Sequence, residues 1–153
     1  NNAGVSSEGR TLAGLDAAEL QRVFMVNSIA PILVARQVLP NLRRGGRKLV
    51  VNISSQLGSI TNNAGPNGGG SSYAYRASKA ALNMLTVSMS LELKAEGIAC
   101  VAMHPGWVRT DMGGEKAPLS PEESVRSMLR TIDRLTIADT GRFLNHDGVA
   151  IPY

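Results

Sequence analysis

The alternation of helical segments with two short apolar strands is the strongest constraint on the fold. Segments 49–53 (Leu-Val-Val-Asn-Ile) and 98–103 (Ile-Ala-Cys-Val-Ala-Met) are predicted to be buried strands. Helices are predicted to begin near Asp16, Tyr73 and Ser120, and Gly97 is predicted to end the second of them. Glu19 and Glu123, three residues after Asp16 and Ser120, have the spacing of a capping box. This order is typical of an α/β fold with a parallel sheet. Since ligands of such sheets bind at the carboxyl ends of the strands, we expect the chemistry in the residues that follow them.

Length and composition fit one domain and exclude several classes of protein. The chain has 153 residues, of which 43% are hydrophobic and 18% are charged, so it can bury a core. Its single cysteine, Cys100, excludes a disulfide within the chain and fits a reducing compartment, so we expect a cytoplasmic protein. Polar residues and Pro31 interrupt the apolar stretch 23–38, so we expect no membrane-spanning helix and no membrane partner.

A short basic cluster leaves two interpretations open. The net charge is only +4, and the cluster consists of Arg43, Arg44, Arg47 and Lys48. It would be either a phosphate or nucleic-acid patch or, as we expect, a solvated connection. We therefore predict a small-molecule partner and no nucleic acid. We also expect no metal site, because His104 and His146 are isolated and no ligand spacing accompanies them.

A tyrosine and a lysine at the start of the second long helix form a candidate acid–base pair. Tyr75 and Lys79 are four positions apart, which places them on one helix face. A free phenol has a pKa of about 10, and a nearby ammonium lowers it towards the range useful in catalysis. Tyr73 lacks such a partner, because Ala77 lies four positions on. Taken alone, the pair is also consistent with a packed tyrosine and a solvated lysine.

Two further features have both a chemical and a structural interpretation. Ser54 and Ser55 follow the first strand, where a hydroxyl can hydrogen-bond a substrate carbonyl or simply form a turn. Pro31 has no N–H, so the main-chain carbonyl of Asn27 loses its helical donor. That carbonyl could bind a water molecule, or the proline could serve packing alone.

The order of these features carries a resemblance to a known family. The chain contains Asn-Asn-Ala-Gly at 1–4, Asn27, Ser55, Tyr75-x-x-x-Lys79, Pro-Gly-Trp-Val-x-Thr at 105–110 and Asp-Gly-x-x-Ile-Pro at 147–152. In this combination the sequence resembles the short-chain dehydrogenase/reductase family over its whole length. It is most similar to the branch of C-factor-like and sniffer-type carbonyl reductases.

The resemblance implies an oxidoreductase that interconverts a carbonyl and an alcohol with NADP(H) rather than NAD(H). It implies that Tyr75 donates a proton, that Lys79 lowers the tyrosine pKa and holds the nicotinamide ribose, and that Ser55 orients the carbonyl. Asn27 would hold a relay water through its main-chain carbonyl. The cofactor-binding residues that it implies are Asn2, Ala3, Gly4, Tyr75, Lys79, Pro105, Gly106, Val108 and Thr110. The alternative is a non-catalytic signalling or interaction protein of the C-factor type.

The resemblance also implies that residues 1–153 are a single partial domain. The family's first βαβαβ half, with its glycine-rich fingerprint, is not found. The glycines at 65–70 belong to a long polar loop predicted over 56–72 and do not follow a strand. We therefore expect the C-terminal portion of a Rossmann-type doubly wound parallel sheet. The isolated chain is expected to bind cofactor poorly and to aggregate. Full-length protein is expected to form homo-oligomers, because the second long helix is apolar on several faces.

Overall fold

The fold is a small parallel sheet with helices packed against it. The computed structural model describes residues 1–66 and 68–153. Within these residues the strands are β1 (Leu49–Ile53), β2 (Ala99–His104) and β3 (Phe143–Asn145). The α-helices are α1 (Ala17–Phe24), α2 (Ala30–Arg44), α3 (Ile60–Ala64), α4 (Tyr73–Leu93) and α5 (Pro121–Ile132), and a π-helical turn, Met25–Ile29, joins α1 to α2.

The sheet has the order β1-β2-β3, and both pairings are parallel. Val51 pairs with Val101 in the first ladder, and Met103 pairs with Leu144 in the second. All six residues of β2 are buried, as expected for a central strand between helices. Asn1 adds to the far edge of β1: its amino group donates to Val51 O at 2.9 Å and its carbonyl accepts from Ile53 N at 2.9 Å. These features confirm the predicted α/β class with a parallel, Rossmann-type sheet.

The helix boundaries follow from capping residues that the sequence displays. The Asp16 side chain accepts from the Glu19 amide at 2.8 Å and begins α1. Glu19 does not close the expected capping box, because its carboxylate accepts instead from the amide of Glu8. Ser120 and Glu123 form the predicted capping box of α5.

The long segment between β1 and α4 is more ordered than expected. We predicted a polar loop over 56–72, but residues 56–58 form a 3-10 turn and residues 60–64 form α3. Two serine caps explain the difference: Ser55 Oγ accepts from Leu57 N, and Ser59 Oγ accepts from Asn62 N. Asn67, which also falls in the predicted loop, lies outside the described residues.

The continuous helix Ala17–Arg44 has an apolar outer face. In the part of the chain that the structure describes, it is the one helix whose length and composition would allow it to cross a membrane, a criterion that a core helix can also meet. Our expectation of no membrane-spanning helix therefore stays a prediction. The mean hydropathy of the helix is high in spite of its polar residues. Asn27 and Ser28 are buried against the protein, whereas Met25 and Val34 are half-exposed. This pattern, with polar residues buried and apolar residues exposed, is compatible with a core helix whose outer face binds another protein surface.

Helix α4 is buried on one face rather than on several, which corrects our expectation. Its inward residues are largely polar: Ser78, Lys79, Asn83, Thr86 and Ser90. Its outward residues include Met84 and Leu91, which are 65% and 74% exposed.

Candidate active site

The candidate site lies at the carboxyl edge of the sheet, where β1, β2 and the N-terminal segment all leave it. Ser54 N donates to Met103 O at 2.7 Å, so the ends of β1 and β2 are held side by side. Asn2, Ala3 and Gly4 continue from Asn1 at the same edge. The Rossmann-type sheet therefore brings together segments that are about fifty residues apart in the sequence.

The serine pair after β1 divides into a buried member and an available member. Ser54 Oγ donates to Asn83 Oδ1 at 2.6 Å and is buried beneath α4. Ser55 Oγ accepts from Leu57 N at 3.2 Å, which leaves its own proton free to donate. The structure therefore favours Ser55 of the two for contact with a ligand.

Tyr75 lies in the first turn of α4, beside Ser55. The turn begins after Ser72, which has a left-handed backbone conformation (φ 61°). Burial raises the pKa of Tyr75 above its usual value, and the Ser55 side chain acts in the opposite direction by hydrogen bonding. Lys79 is not among the causes of this shift, so its lowering of the Tyr75 pKa stays a prediction.

Lys79 is almost fully buried under the turn that carries Tyr75. Its Nζ donates to Ile53 O at 2.8 Å and lies 5.8 Å from the centroid of the Tyr75 ring. Burial lowers the pKa of Lys79 to about 8, since no carboxylate compensates for the lost solvation. The ammonium thus sits next to the phenol and still has N–H groups to offer.

Asn27 connects the N-terminal segment to α4 from the middle of the π-helical turn. Its Oδ1 accepts from Val5 N at 2.8 Å, and its Nδ2 donates to Val5 O at 2.9 Å and to Ser78 Oγ at 3.0 Å. The π-helical turn lies where Pro31 removes an N–H from the helix, which agrees with the predicted disruption of the ladder at Asn27. The side chain of Asn27 therefore has a structural role in addition to any role of its carbonyl.

Gly4 opens a space in front of Asn27 and Lys79. A Cβ built on Gly4 would lie 3.6 Å from both Asn27 Oδ1 and Lys79 Nζ, so a longer side chain there would fill the space beside the ammonium. A dinucleotide ribose needs such a cradle, with hydrogen-bond donors and no side chain in the way. The residues present therefore fit the nicotinamide end of the cofactor that the sequence resemblance implies.

The loop after β2 is built tightly. Pro105 O accepts from Ser124 Oγ at 2.6 Å, and Gly106 has a φ of 85° with no space for a Cβ, because Leu119 and His146 lie against it. Val108 bridges to Leu119, and Thr110 Oγ1 accepts from Gly113 N at 3.1 Å. The four residues that we assigned to cofactor binding from this loop, Pro105, Gly106, Val108 and Thr110, thus follow β2 at the same carboxyl edge.

Sequence analysis missed a pair of histidines behind this loop. His104 and His146 are far apart in the sequence, but His104 ends β2 within range of the charge of His146, which lies against Gly106. His104 is 7% exposed, and its Nδ1 has no hydrogen-bond partner within the described residues. Burial and, secondly, the charge of His146 lower the pKa of His104 to about 4. The position of His104 directly before Pro-Gly was the available signal.

Two of the four residues in the basic cluster are paired with carboxylates. Arg43 makes a two-pronged contact with Glu96 at 2.6 and 2.8 Å, and Arg47 Nη1 lies 3.2 Å from Asp133. Lys48 Nζ donates to Glu96 O. This supports the interpretation as a solvated connection. Among residues 1–66 and 68–153, no three histidine, cysteine or acidic residues are grouped as metal ligands would be.

A parallel sheet with a tyrosine and a lysine one helical turn apart at its carboxyl edge is the arrangement that the sequence resemblance implies. The sequence model described as "short chain dehydrogenase" matches residues 1–119. The chain belongs to the short-chain dehydrogenase family.

Three relatives show which members of the family this chain is similar to. The C-signal protein of Myxococcus xanthus is 45% identical over 153 residues, which are all of this chain and 90% of that protein. The carbonyl reductase Sniffer of D. melanogaster is 37% identical with a TM-score of 0.93, and this chain is covered completely. An NADPH-bound carbonyl reductase from chicken fatty liver is also 37% identical, with a TM-score of 0.89 over 99% of this chain. The chain spans 64% of each of these two solved reductases.

Proposed function

We propose that the protein is an NADP(H)-dependent oxidoreductase that interconverts a carbonyl and an alcohol. The observation that carries this proposal is the convergence of Ser55, Tyr75 and Lys79 at the carboxyl edge of a short-chain dehydrogenase sheet. Lys79 Nζ lies 5.8 Å from the Tyr75 ring centroid, and Ser55 is the tyrosine's hydrogen-bonding neighbour. Asn27 is tied to the same helix through Ser78.

Each of these residues has a distinct task in the proposed reduction. The dinucleotide, when bound, supplies the hydride to the carbonyl carbon. Tyr75 gives its hydroxyl proton to the carbonyl oxygen, and Ser55 donates a hydrogen bond to that oxygen and orients it. The Lys79 ammonium stabilises the phenolate that remains, because an adjacent opposite charge favours the ionised form. The main-chain carbonyl of Asn27 holds the water through which the tyrosine regains a proton.

The cofactor residues are proposed in two groups. Asn2, Ala3 and Gly4 line one side of the nicotinamide end, together with Tyr75 and Lys79. The loop residues Pro105, Gly106, Val108 and Thr110 line the other side. The space in front of Gly4 supports the first group, since a side chain there would approach Lys79 Nζ. The preference for NADP(H) over NAD(H) is supported by the NADPH in the chicken carbonyl reductase.

The test is a comparison of initial rates with NADPH and NADH, using an aromatic aldehyde and the protein expressed from its complete gene. We expect saturable consumption that favours NADPH. Lys79→Met should reduce kcat by about a hundredfold or more, because the phenolate loses its neighbouring charge. Lys48→Met is the matched control, since the Lys48 ammonium donates to Glu96 O at the other end of the sheet. Equal rates for Lys79→Met and the wild type would contradict the proposal.

A signalling function is the second candidate, favoured by the 45% identity to a protein named C-signal. In that case the fold would present a surface to a partner, and proton transfer by Tyr75 would be irrelevant. A Tyr75→Phe protein that retains its full biological activity in cells would favour signalling. Loss of that activity together with aldehyde reduction would favour the enzyme.

Self-association of two copies is proposed for the full-length protein. Helices α1 and α4 are in contact, and exposed apolar residues lie on α4, on the π-helical turn that follows α1 and on α2. The residues are Met25, Ile29, Leu33, Met84 and Leu91. Analytical ultracentrifugation that detects only monomer would contradict this proposal.

A cytoplasmic location without nucleic-acid or membrane partners completes the proposal. Its support is the buried, free Cys100, which fits a reducing compartment, and the pairing of Arg43 and Arg47 with carboxylates. Recovery of the protein in the soluble fraction after cell breakage is the expected result. Recovery with membranes would reassign the apolar face of Ala17–Arg44.

A further inference from the structure

A polar cavity lies between the segment that follows Ser55 and the first turn of α4. Its volume is about 350 Å³, a size suited to part of a small molecule. Residues that line it include Gln56, Leu57, Thr61, Asn62, Asn63 and Arg76. Gln56 follows Ser55 in the chain and Arg76 follows Tyr75, so the lining includes the sequence neighbours of both groups proposed to contact the carbonyl.

The lining of the cavity is selective for negative charge. Arg76 is the one charged side chain among its described lining residues, and no carboxylate accompanies it. Gln56, Asn62 and Asn63 add amide groups that can donate hydrogen bonds. The hydroxyl of Thr61 is occupied, because it donates to Tyr153 O. An anion would therefore meet a guanidinium and several amides without a repelling group in the lining.

The guanidinium of Arg76 is held in place before any ligand arrives. Its Nε donates to Ser71 O at 2.8 Å and its Nη1 donates to Asn63 Oδ1 at 2.5 Å. Within the described residues Nη2 has no protein acceptor. Gly69 provides the space for it, since a Cβ there would lie 3.0 Å from Nη2. A fixed guanidinium binds a carboxylate with little further loss of side-chain freedom.

We propose that this cavity binds the carboxylate of a carbonyl substrate, so that the enzyme prefers aldehydes and ketones that carry a second, anionic group. The inference rests on the proposed function, because it places the reacting carbonyl between Ser55 and Tyr75. Arg76 then binds the carboxylate end and Asn63 supplies an additional amide donor. Charge-assisted contacts of this kind are stronger than neutral ones and orient the substrate.

The test uses a substrate pair that differs only in charge. 4-Carboxybenzaldehyde is ionised at pH 7, whereas its methyl ester is neutral and similar in shape. We expect kcat/KM of the wild type, expressed from its complete gene, to favour the acid. Arg76→Met should lower kcat/KM for the acid by about tenfold or more and change the ester by less than about threefold. No preference for the acid in the wild type would overturn the proposal.

Arg76 also ties Asn63 and Ser71 together, so a second variant separates charge from loop structure. Asn63→Asp keeps a partner for Nη1 but neutralises the guanidinium, so it should reduce kcat/KM for the acid alone. A purely structural role would leave both substrates unaffected in Asn63→Asp, or change both equally in Arg76→Met, and either result would overturn the proposal.

Binding measurements separate this proposal from the proposed function. Reduction of the methyl ester that is lost in Tyr75→Phe would support the proposed function independently of the cavity. If the wild type reduces neither compound, the proposed function fails. Calorimetric titration with terephthalate then still tests the cavity: weaker binding to Asn63→Asp supports it, and equal binding overturns it.

Discussion

The two faces of helix α4 follow opposite rules. The inward face buries hydroxyls, amides and an ammonium, whereas the outward face exposes Met84 and Leu91. Buried polar groups are costly unless each is hydrogen-bonded, and here they are. Thr86 Oγ1 accepts from Asn52 Nδ2 at 2.8 Å, and Asn83 Nδ2 donates to Gly58 O. The inward face fixes the position of Tyr75 and Lys79 through directional hydrogen bonds. The outward face provides only apolar surface, whose burial has no directional preference.

This difference indicates that the inward face of α4 determines the geometry of the site and that the outward face is suited to self-association. Hydrogen bonds fix α4 relative to β1 and the π-helical turn, so the inward face determines the geometry of the site. The apolar outward face is suited to covering by another surface, because apolar burial is not directional. The following predictions break one face or the other, from the largest effect to the smallest.

Asn27→Leu should break the inward face most severely. The substitution preserves volume but leaves the N–H and C=O of Val5 and the hydroxyl of Ser78 without their partner. We expect a loss of about 2 to 4 kcal/mol in the free energy of unfolding, measured by urea denaturation. Asn41→Leu, at an exposed position of α2, is the control and should change little. Equal stability of the two variants would show that the inward network is dispensable.

Lowering the pH should decrease the free energy of unfolding through the buried His104 at the end of β2. The folded-state pKa of His104 is about 4, below the unfolded value of about 6.5, so the unfolded chain takes up a proton that the folded chain does not. The stability present above pH 6.5 should therefore fall as the pH decreases from about 6.5 to 4, by roughly 3 kcal/mol at most. His104→Gln should flatten the plot of unfolding free energy against pH in that range. An unchanged slope would contradict the assigned burial effect.

Met84→Glu should break the outward face with the smallest effect on folding. Because Met84 is 65% exposed, we expect the free energy of unfolding to change by less than about 0.5 kcal/mol. The charge should nevertheless shift the proposed dimer to monomer in sedimentation experiments. Lys94→Glu, in the turn after α4, is the control and should leave assembly unchanged. A dimer that persists in Met84→Glu would place the interface elsewhere.

Sequence periodicity predicted most of the framework. The strands around Val51 and Val101 were evident as apolar runs. The helices α1, α4 and α5 begin within one residue of the predicted starts at Asp16, Tyr73 and Ser120. The end of α4 was marked by Gly97, which has the expected left-handed conformation (φ 72°). Such features depend on nearby residues, so they can be derived without the fold.

The remaining features depend on contacts between distant segments. The apolar residues of α4 suggested burial on several faces, but Ser78, Asn83 and Thr86 are buried because Asn27, Ser54 and Asn52 supply their partners. These partners come from two other segments, the π-helical turn and the end of β1, and periodicity does not contain that information. The fixed position of Arg76 likewise depends on Asn63 and Ser71. Its place beside Tyr75 was the only local hint.

The most direct test of the account is the rate of NADPH consumption by Tyr75→Phe relative to the wild type, with an aromatic aldehyde and the protein expressed from its complete gene. Loss of one hydroxyl removes the proposed proton donor while the ring and Lys79 remain. The account predicts a decrease in kcat of at least about a hundredfold, with NADPH binding changed by only a few-fold. An unchanged kcat would contradict the assignment of Tyr75, and with it the proposed reductase site.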